Sequence, residues 1–439
     1  MTEISKAAQV ANLANEVVSV KDFGAVGDGV TDDTSAIQAA LDYVTSITST
    51  IDIHNNTSFA GVTLEGADGV YIINDTIEAS NDCAGITLNL TLKAKDTFPD
   101  GQPLLKFDST TELAFHNIKF NLTLDGSHRA AGFLINKYNR CEANITVFGC
   151  KHYGTRLGRS ATDFKGHEFV MHCFKYGWRE WNDPNRIVDR ADMNGYALEV
   201  FTHDGHFNNT IIYNGDKGIL LTQEANTFSV GHIWGVEDQD AGFVIESSAQ
   251  GPVSINQMYF DGCALQCINP FQLQAEGCIW LTSATSTSSL TSCVIFKCVT
   301  NNQVLGKVKI SGKVKNGDSS NSLAFVSVDQ SSANFNLTST DNISLDVTTQ
   351  GLVTSYKDTE TLSNYGSTVS GATFTYTGAL ASVLQTDVKR VVAVTPMLGR
   401  FTNWYITEGV STCTFTSELP YTGSVRITAS INKQSGLDT

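Results

Sequence analysis

Residues 21–41 read KDFGAVGDGVTDDTSAIQAAL. Gly24, Gly27 and Gly29 punctuate the first half, where they permit positive φ and close approach of backbone to backbone. Asp32 or Asp33 is placed to accept from the free N–H groups of a first helical turn. Ile37, Ala40, Leu41 and Val44 then recur on one helical face. The stretch predicts a tight glycine turn, an acidic cap and an amphipathic helix. Such a helix needs an apolar surface to cover.

The composition suits stacked strands. Only 17% of the 439 residues are charged, 36 are Gly and 7 are Pro, while Asn, Thr and Ser are abundant. Short strands joined by polar turns use residues in this way. The net charge of −16 argues against nucleic-acid binding, which calls for a basic footprint. No stretch of 18 apolar residues occurs, so no membrane insertion is expected, and Met1–Lys6 is polar rather than leader-like. The 10 cysteines show no CxxC or Cys/His metal spacing. They read as reduced, mostly buried thiols. Asn89, Asn121 and Asn144 open Asn-x-Thr triplets inside strand-like runs and read as strand residues, not glycan acceptors.

A degenerate repeat runs through the middle: a short apolar strand, a small residue or Asn, variable residues, a Gly, then alternating apolar residues. Gly154, Gly177, Gly195, Gly218, Gly242 and Cys267 mark its phase, and an earlier copy falls at Gly132. One turn of a stacked-strand solenoid per repeat fits this spacing. Positions +1 and +3 after each Gly should point inward, +2 and +4 outward. That sets Ile219, Leu221, Phe243, Ile245, Tyr196 and Leu198 in, and Thr222, Glu199 and Glu246 out. Glu180 breaks the scheme by pointing inward. Four regions follow: a short N-terminal peptide, 1–18; a solenoid, 19–285; final rungs or a neck, 286–354; and alternating hairpins, 355–439, that read as a C-terminal β-sandwich.

The 21–41 stretch resembles the N-terminal signature of the pectate-lyase-like superfamily, and especially its phage tailspike branch. The resemblance implies an all-β, right-handed parallel β-helix whose open end the helix caps. It further implies a homotrimer, with the C-terminal module serving trimerisation or carbohydrate binding. The function implied is a virion tail protein that binds and endo-cleaves a bacterial surface polysaccharide, capsule or O-antigen. Residues 1–18 would dock to other phage tail proteins. That family's calcium-carboxylate cluster is not recognisable here.

Hydrolysis needs two carboxylates about 5–9.5 Å apart. In the repeat frame Glu199, Thr222 and Glu246 share position +4, which makes Glu199 and Glu246 the leading acid/base pair, with Glu224 beside them. This favours hydrolysis over β-elimination. Asp204, in the turn Thr202-His203-Asp204-Gly205-His206, is an alternative acid. His203 and His206, with Tyr213 nearby, are candidate elimination bases. Arg156 and Arg179 share position +2 and could grip carboxylates. Trp178, Trp181 and Trp234 supply aromatic surface for sugar rings, and His203 and Thr222 would line the groove. Asp183, Asp189 and Asp192 are further acids. No cofactor is expected; Glu237-Asp238-Gln239-Asp240 offers the one oxygen-rich turn for a structural Ca²⁺. A non-catalytic glycan-binding adhesin, a free bacterial polysaccharide enzyme and an esterase remain as rival readings.

Overall fold

The computed structural model describes residues 16–48, 61–110, 114–159, 166–177, 194–246, 249, 251–268, 272–282, 290–297, 307–317, 323–329, 342–350, 353–358, 373–377, 388–396, 404–408, 412–417 and 425–433. The chain divides into two compact units, Met1–Thr227 and Phe228–Thr439.

The decisive stretch folds as its chemistry dictates. The helix runs Thr34–Thr48. Ile37, Ala40, Leu41 and Val44 are fully buried along its inner face. Each larger side chain there removes enough apolar surface to contribute about 1.5–3 kcal/mol. The two aspartates divide the capping. Asp32 accepts from the Thr34 amide at 3.2 Å. Asp33, only 1% exposed, turns back instead and accepts from the amides of Val26 (2.7 Å) and Gly27 (3.1 Å). Gly27 has φ +70°, and a Cβ there would lie 2.7 Å from the Tyr71 ring. The helix also seals a sheet edge. The Gln38 side chain donates to the Glu78 carbonyl (2.8 Å) and accepts from the Glu78 amide (2.9 Å). It thereby satisfies the edge strand Ile77–Ala79, which would otherwise invite another chain to pair.

Beyond the helix, the chain of the first unit alternates between two parallel sheets. One stacks Val62–Ile73, Ile86–Ala94, Lys119–Asp125, Tyr138–Phe148, His167–Gly177 and Gly205–Tyr213. The other stacks Ile77–Ala79, Pro103–Phe107, Ala131–Ile135, Tyr153–Leu157, Tyr196–Val200 and Lys217–Leu221. Parallel strands joined by successive crossovers make a parallel β-helix, right-handed as such crossovers are. Between the sheets, Phe107 meets Phe115 and Phe120 at 5.2 Å each, and Phe120 meets Phe133 at 4.8 Å.

The second unit repeats the construction. Pro252–Asp261, Gln272–Thr282, Lys307–Asn316 and Asn342–Gln350 form one parallel stack. Phe243–Ile245, Leu265–Ile268, Ser292–Lys297, Leu323–Asp329 and Val353–Asp358 form the other. Pairing then turns antiparallel: Val425–Lys433 lies between Asn342–Gln350 and Val388–Pro396, and Thr412–Ser417 lies between Thr373–Thr377 and Trp404–Glu408.

The inward and outward assignment holds where the phase was right: Ile219, Leu221, Phe243 and Ile245 are all buried. The phase itself needs correction. Tyr153 pairs with Tyr196, and Tyr196 with Lys217, so Gly154, Ala197 and Gly218 are equivalent and Gly195 is not. Gly177 sits in the other sheet, opposite Phe148 and Tyr213. One rung therefore spans two repeat lengths, from Thr155 to Leu198. Turn length varies from rung to rung, so counting glycines cannot fix register. Tyr196 stands half-exposed with Lys217 over its ring rather than inside. Cys267 is a buried strand residue opposite Ile245, not a turn. The described cysteines are free thiols, buried except for half-exposed Cys173. Burial raises the Cys278 thiol to about 11 and leaves it unreactive at neutral pH.

Candidate active site

On the outer face of the second sheet of the first unit, one row of side chains follows the stack: Glu78, Lys106, Leu134, Arg156, Glu199, Leu220. Its charges fall in two oppositely signed pairs on adjacent rungs, separated by Leu134. Lys106 Nζ lies 2.8 Å from Glu78 Oε1. The Arg156 guanidinium donates to the Glu199 carboxylate. Two residues picked for separate tasks, acid and substrate clamp, are thus each other's partner.

Their surroundings set the chemistry. Glu199 is 5% exposed. Burial raises its pKa above the ordinary carboxylate value, opposed first by the Arg156 hydrogen bond and charge and then by the charge of Lys217. The Arg156 guanidinium lies over Tyr153, its Cζ 4.1 Å from the ring centroid, with the Phe201 ring at 5.9 Å. The Lys217 ammonium stands 5.4 Å over Tyr196. Cation–π contacts hold both cations in place. The Tyr153 hydroxyl is pushed up by burial, which the Arg156 charge only partly offsets.

The turns leaving this sheet carry a second set of polar groups. Asp108 accepts from Arg159 Nη2 at 2.6 Å and from Asn136 Nδ2 at 3.4 Å. His203 Nδ1 lies 3.6 Å from Glu224 Oε1. Thr202 meets the buried Tyr138 hydroxyl at 2.5 Å. Glu199, Arg156, His203 and Glu224 therefore share the rungs Tyr153–Leu157, Tyr196–Val200 and Lys217–Leu221 and the turns leaving them.

Thr222 is a correction. It is fully buried, and its hydroxyl donates to the Val200 carbonyl at 3.2 Å, so it lines no groove. Leu220, two residues earlier, is the in-register neighbour of Glu199. Glu246 follows the strand Phe243–Ile245 in the second unit and is half-exposed. Trp234 also belongs to the second unit, where His232 stacks between it (4.3 Å) and Tyr259 (4.4 Å). Asp204 is a turn residue with φ +58°, 3.9 Å from His167 Nδ1. His206 is exposed and Tyr213 buried. Arg179, Trp181, Trp178, Glu180, Asp183, Asp189 and Asp192 lie outside the described residues.

Tyr153, Lys217 and the Asp108–Arg159 pair were missed. Tyr153 was legible as the residue before the repeat glycine, three positions ahead of Arg156. Nothing in the sequence joins Asp108 to Arg159, because their proximity depends on how the rungs stack. Among the described residues no group of three or more His, Cys, Asp or Glu is arranged to hold a metal ion, and no helix is long and apolar enough to cross a membrane.

Over 248 residues the chain is 23% identical to the mannuronan C5-epimerase AlgE5 of Azotobacter vinelandii, a match that covers 50% of this chain and 24% of that enzyme. The chain thus spans about a quarter of that relative's length. Among solved structures, ORF18 of Geobacillus virus E2 is similar over 98% of this chain and 81% of its own, at 13% identity and TM-score 0.47. The tailspike of E. coli bacteriophage HK620, solved with a pentasaccharide, is similar over 98% and 95%, at 10% identity and TM-score 0.47. The A-module of A. vinelandii AlgE6 is similar over 79% and 96%, at 15% identity and TM-score 0.43. The family model described as "Rhamnogalacturonase A/epimerase, pectate lyase-like" matches residues 17–269, more than half of the chain. With its stacked parallel rungs and helical cap, the chain belongs to the rhamnogalacturonase A/epimerase, pectate lyase-like family.

Proposed function

We propose that this protein binds and cleaves a bacterial surface polysaccharide at the outer face of the second sheet of its first unit. The observation that carries the reading is the nearly buried Glu199, with its raised pKa, held by Arg156 against Tyr153. A carboxyl group kept more basic than usual is suited to give a proton. Glu199 would protonate the glycosidic oxygen as the C–O bond breaks. Water would add to the anomeric carbon, its proton passing to Glu224, which His203 orients. Arg156 then steadies the carboxylate left on Glu199. Family membership and the epimerase relative support a polysaccharide substrate.

A second reading is β-elimination, favoured by that same relative, since epimerisation at C5 begins with removal of a proton beside a carboxylate. Arg156 would have to leave Glu199 to neutralise a uronate. Tyr153, with its raised pKa, is a poor base, which leaves His203 or His206. The resemblance of residues 21–41 to tailspikes supports a place in a virion tail, as a homotrimer closed by a C-terminal β-sandwich and docked through residues 1–18.

The test is incubation with a panel of capsular and O-antigen polysaccharides, reading reducing ends and the ultraviolet band of unsaturated uronates together. Reducing ends without the band mean hydrolysis, and both together mean elimination. Neither, with tight binding, means an adhesin.

A further inference from the structure

The other sheet of the first unit has an outward face of a different kind. Its strands run Lys-Phe-Asn-Leu-Thr-Leu-Asp (119–125) and Glu-Ala-Asn-Ile-Thr-Val-Phe (142–148), paired residue for residue. Asn89, Asn121 and Asn144 stack in register, and Leu90, Leu122 and Ile145 stack inside them. Thr91, Thr123 and Thr146 form the next outward row. The amides make a ladder with one direction. Asn144 Nδ2 donates to Asn121 Oδ1 (3.0 Å), Asn121 Nδ2 to Asn89 Oδ1 (2.8 Å), and Asn89 Nδ2 to Glu65 Oε2 (2.8 Å). These residues, with Ala67 and Cys173, line a groove of about 390 Å³.

Each amide has two N–H donors and two acceptor lone pairs; the ladder uses one donor of each Asn and one acceptor of Asn121 and of Asn89. Every rung therefore presents a spare donor and a spare acceptor to the groove. The hydroxyls of Thr91, Thr123 and Thr146 have no hydrogen-bond partner among the described residues. The pattern repeats at the strand spacing of about 4.8 Å, close to the advance of one pyranose along an extended chain. Charge is nearly absent. Glu65 is the one ionisable carboxylate on the lining. The flanking rows are neutralised by the pairs Lys119–Glu142 (3.3 Å) and Lys93–Asp125 (3.2 Å). A polyanion would find no free cation on the lining and would meet the Glu65 charge.

We infer that this groove is a second glycan site, separate from the proposed cleavage site, which holds an uncharged polyhydroxylated chain lying along the stack. It rests on the polysaccharide reading only for the kind of polymer involved. Vicinal hydroxyls of a neutral sugar each donate and accept, as the amide and hydroxyl rows require.

Cys173 makes the inference testable, because it lines the groove and is half-exposed while the other described cysteines are buried. The rate of iodoacetamide alkylation at Cys173 would be followed by peptide mapping. Cellohexaose, maltohexaose and chitohexaose serve as neutral probes, and hexagalacturonate as the charged one. At millimolar concentration at least one neutral hexasaccharide should slow alkylation about fivefold or more, and hexagalacturonate should not. Thr123→Lys should remove the protection, and Asn121→Ala should weaken sugar binding about fivefold, the worth of one hydrogen-bonding group. Circular dichroism confirms that both variants fold. Glu199→Gln protein should keep the protection, which separates failure of this groove from failure of the cleavage site. Equal alkylation rates with every sugar would overturn the inference. So would alkylation that slows with protein concentration alone, since a second copy would then cover the face.

Discussion

The two outward faces of the first unit are built by the same stacking and solve its central problem in opposite ways. Parallel in-register strands place like positions in a row, one strand spacing apart. On the second sheet the row is ionic, and opposite charges pair between adjacent rungs: Glu78 against Lys106, Arg156 against Glu199. On the first sheet the central row is amide, and Asn follows Asn. A carboxylate cannot stack on a carboxylate without repulsion, whereas an amide donates and accepts and is complementary to itself. Charge on a β-helix must therefore be paired between rungs, and a paired, buried charge has a shifted pKa available for chemistry. An amide ladder is electrically quiet and available only for recognition.

The comparison is broken most sharply at Glu199. Glu199→Gln should lower polysaccharide cleavage by about 10²–10⁴-fold, the range for loss of a general acid. Binding to the Asn/Thr groove should not change. Cleavage at the parental rate would move the chemistry elsewhere.

Next in size is the cap that closes the end of both sheets. Asp33→Ala removes a buried acceptor from two amides, and urea unfolding should show a loss of about 3 kcal/mol. Asp32→Ala, which loses an exposed cap, should cost about 1 kcal/mol. Equal losses would mean that the glycine loop does not depend on Asp33.

A pH series sharpens the contrast between the faces. The folded-state pKa of Glu199 is raised, so its protonated form is favoured by folding. Its contribution to stability is full below the ordinary glutamate value and is lost as pH rises through the raised one. Activity that depends on the protonated acid should fall over the same window. Glu199→Gln should flatten that part of the stability profile. Sugar protection of Cys173 should be unchanged across it.

The smallest effect concerns row chemistry itself. Lys106→Glu sets a carboxylate against Glu78 and should cost at most about 1 kcal/mol, less in high salt. Asn121→Asp removes the donor to Asn89 but adds no adjacent carboxylate, so its thermal shift should depend less on salt. Identical salt dependence would contradict the distinction between the rows.

The fold was legible because residues 21–41 carry three independent constraints: positive φ at the glycines, a capping carboxylate and a four-residue apolar stripe. Each was found where the chemistry placed it, except that the Asp33 side chain serves the loop and not the helix. The triplets Asn89-Leu90-Thr91, Asn121-Leu122-Thr123 and Asn144-Ile145-Thr146 were visible too, yet their meaning as rows required register. Register was the quantity the sequence hid. The long rung between Thr155 and Leu198 shifts every count made from the glycines. That shift put Thr222 beside Glu199 on paper and kept Arg156 and Glu199 apart, although they touch. Asp108 and Arg159 were hidden for the same reason, since each sits in a turn whose length no periodicity sets.

The role of Glu199 is tested most directly by release of reducing ends from a panel of capsular and O-antigen polysaccharides by the parent protein and by Glu199→Gln, with the unsaturated-uronate band recorded alongside. The parent should release reducing ends without the band, and the variant essentially none. A rising band, or a variant as active as the parent, would contradict Glu199 as the acid of a polysaccharide hydrolase.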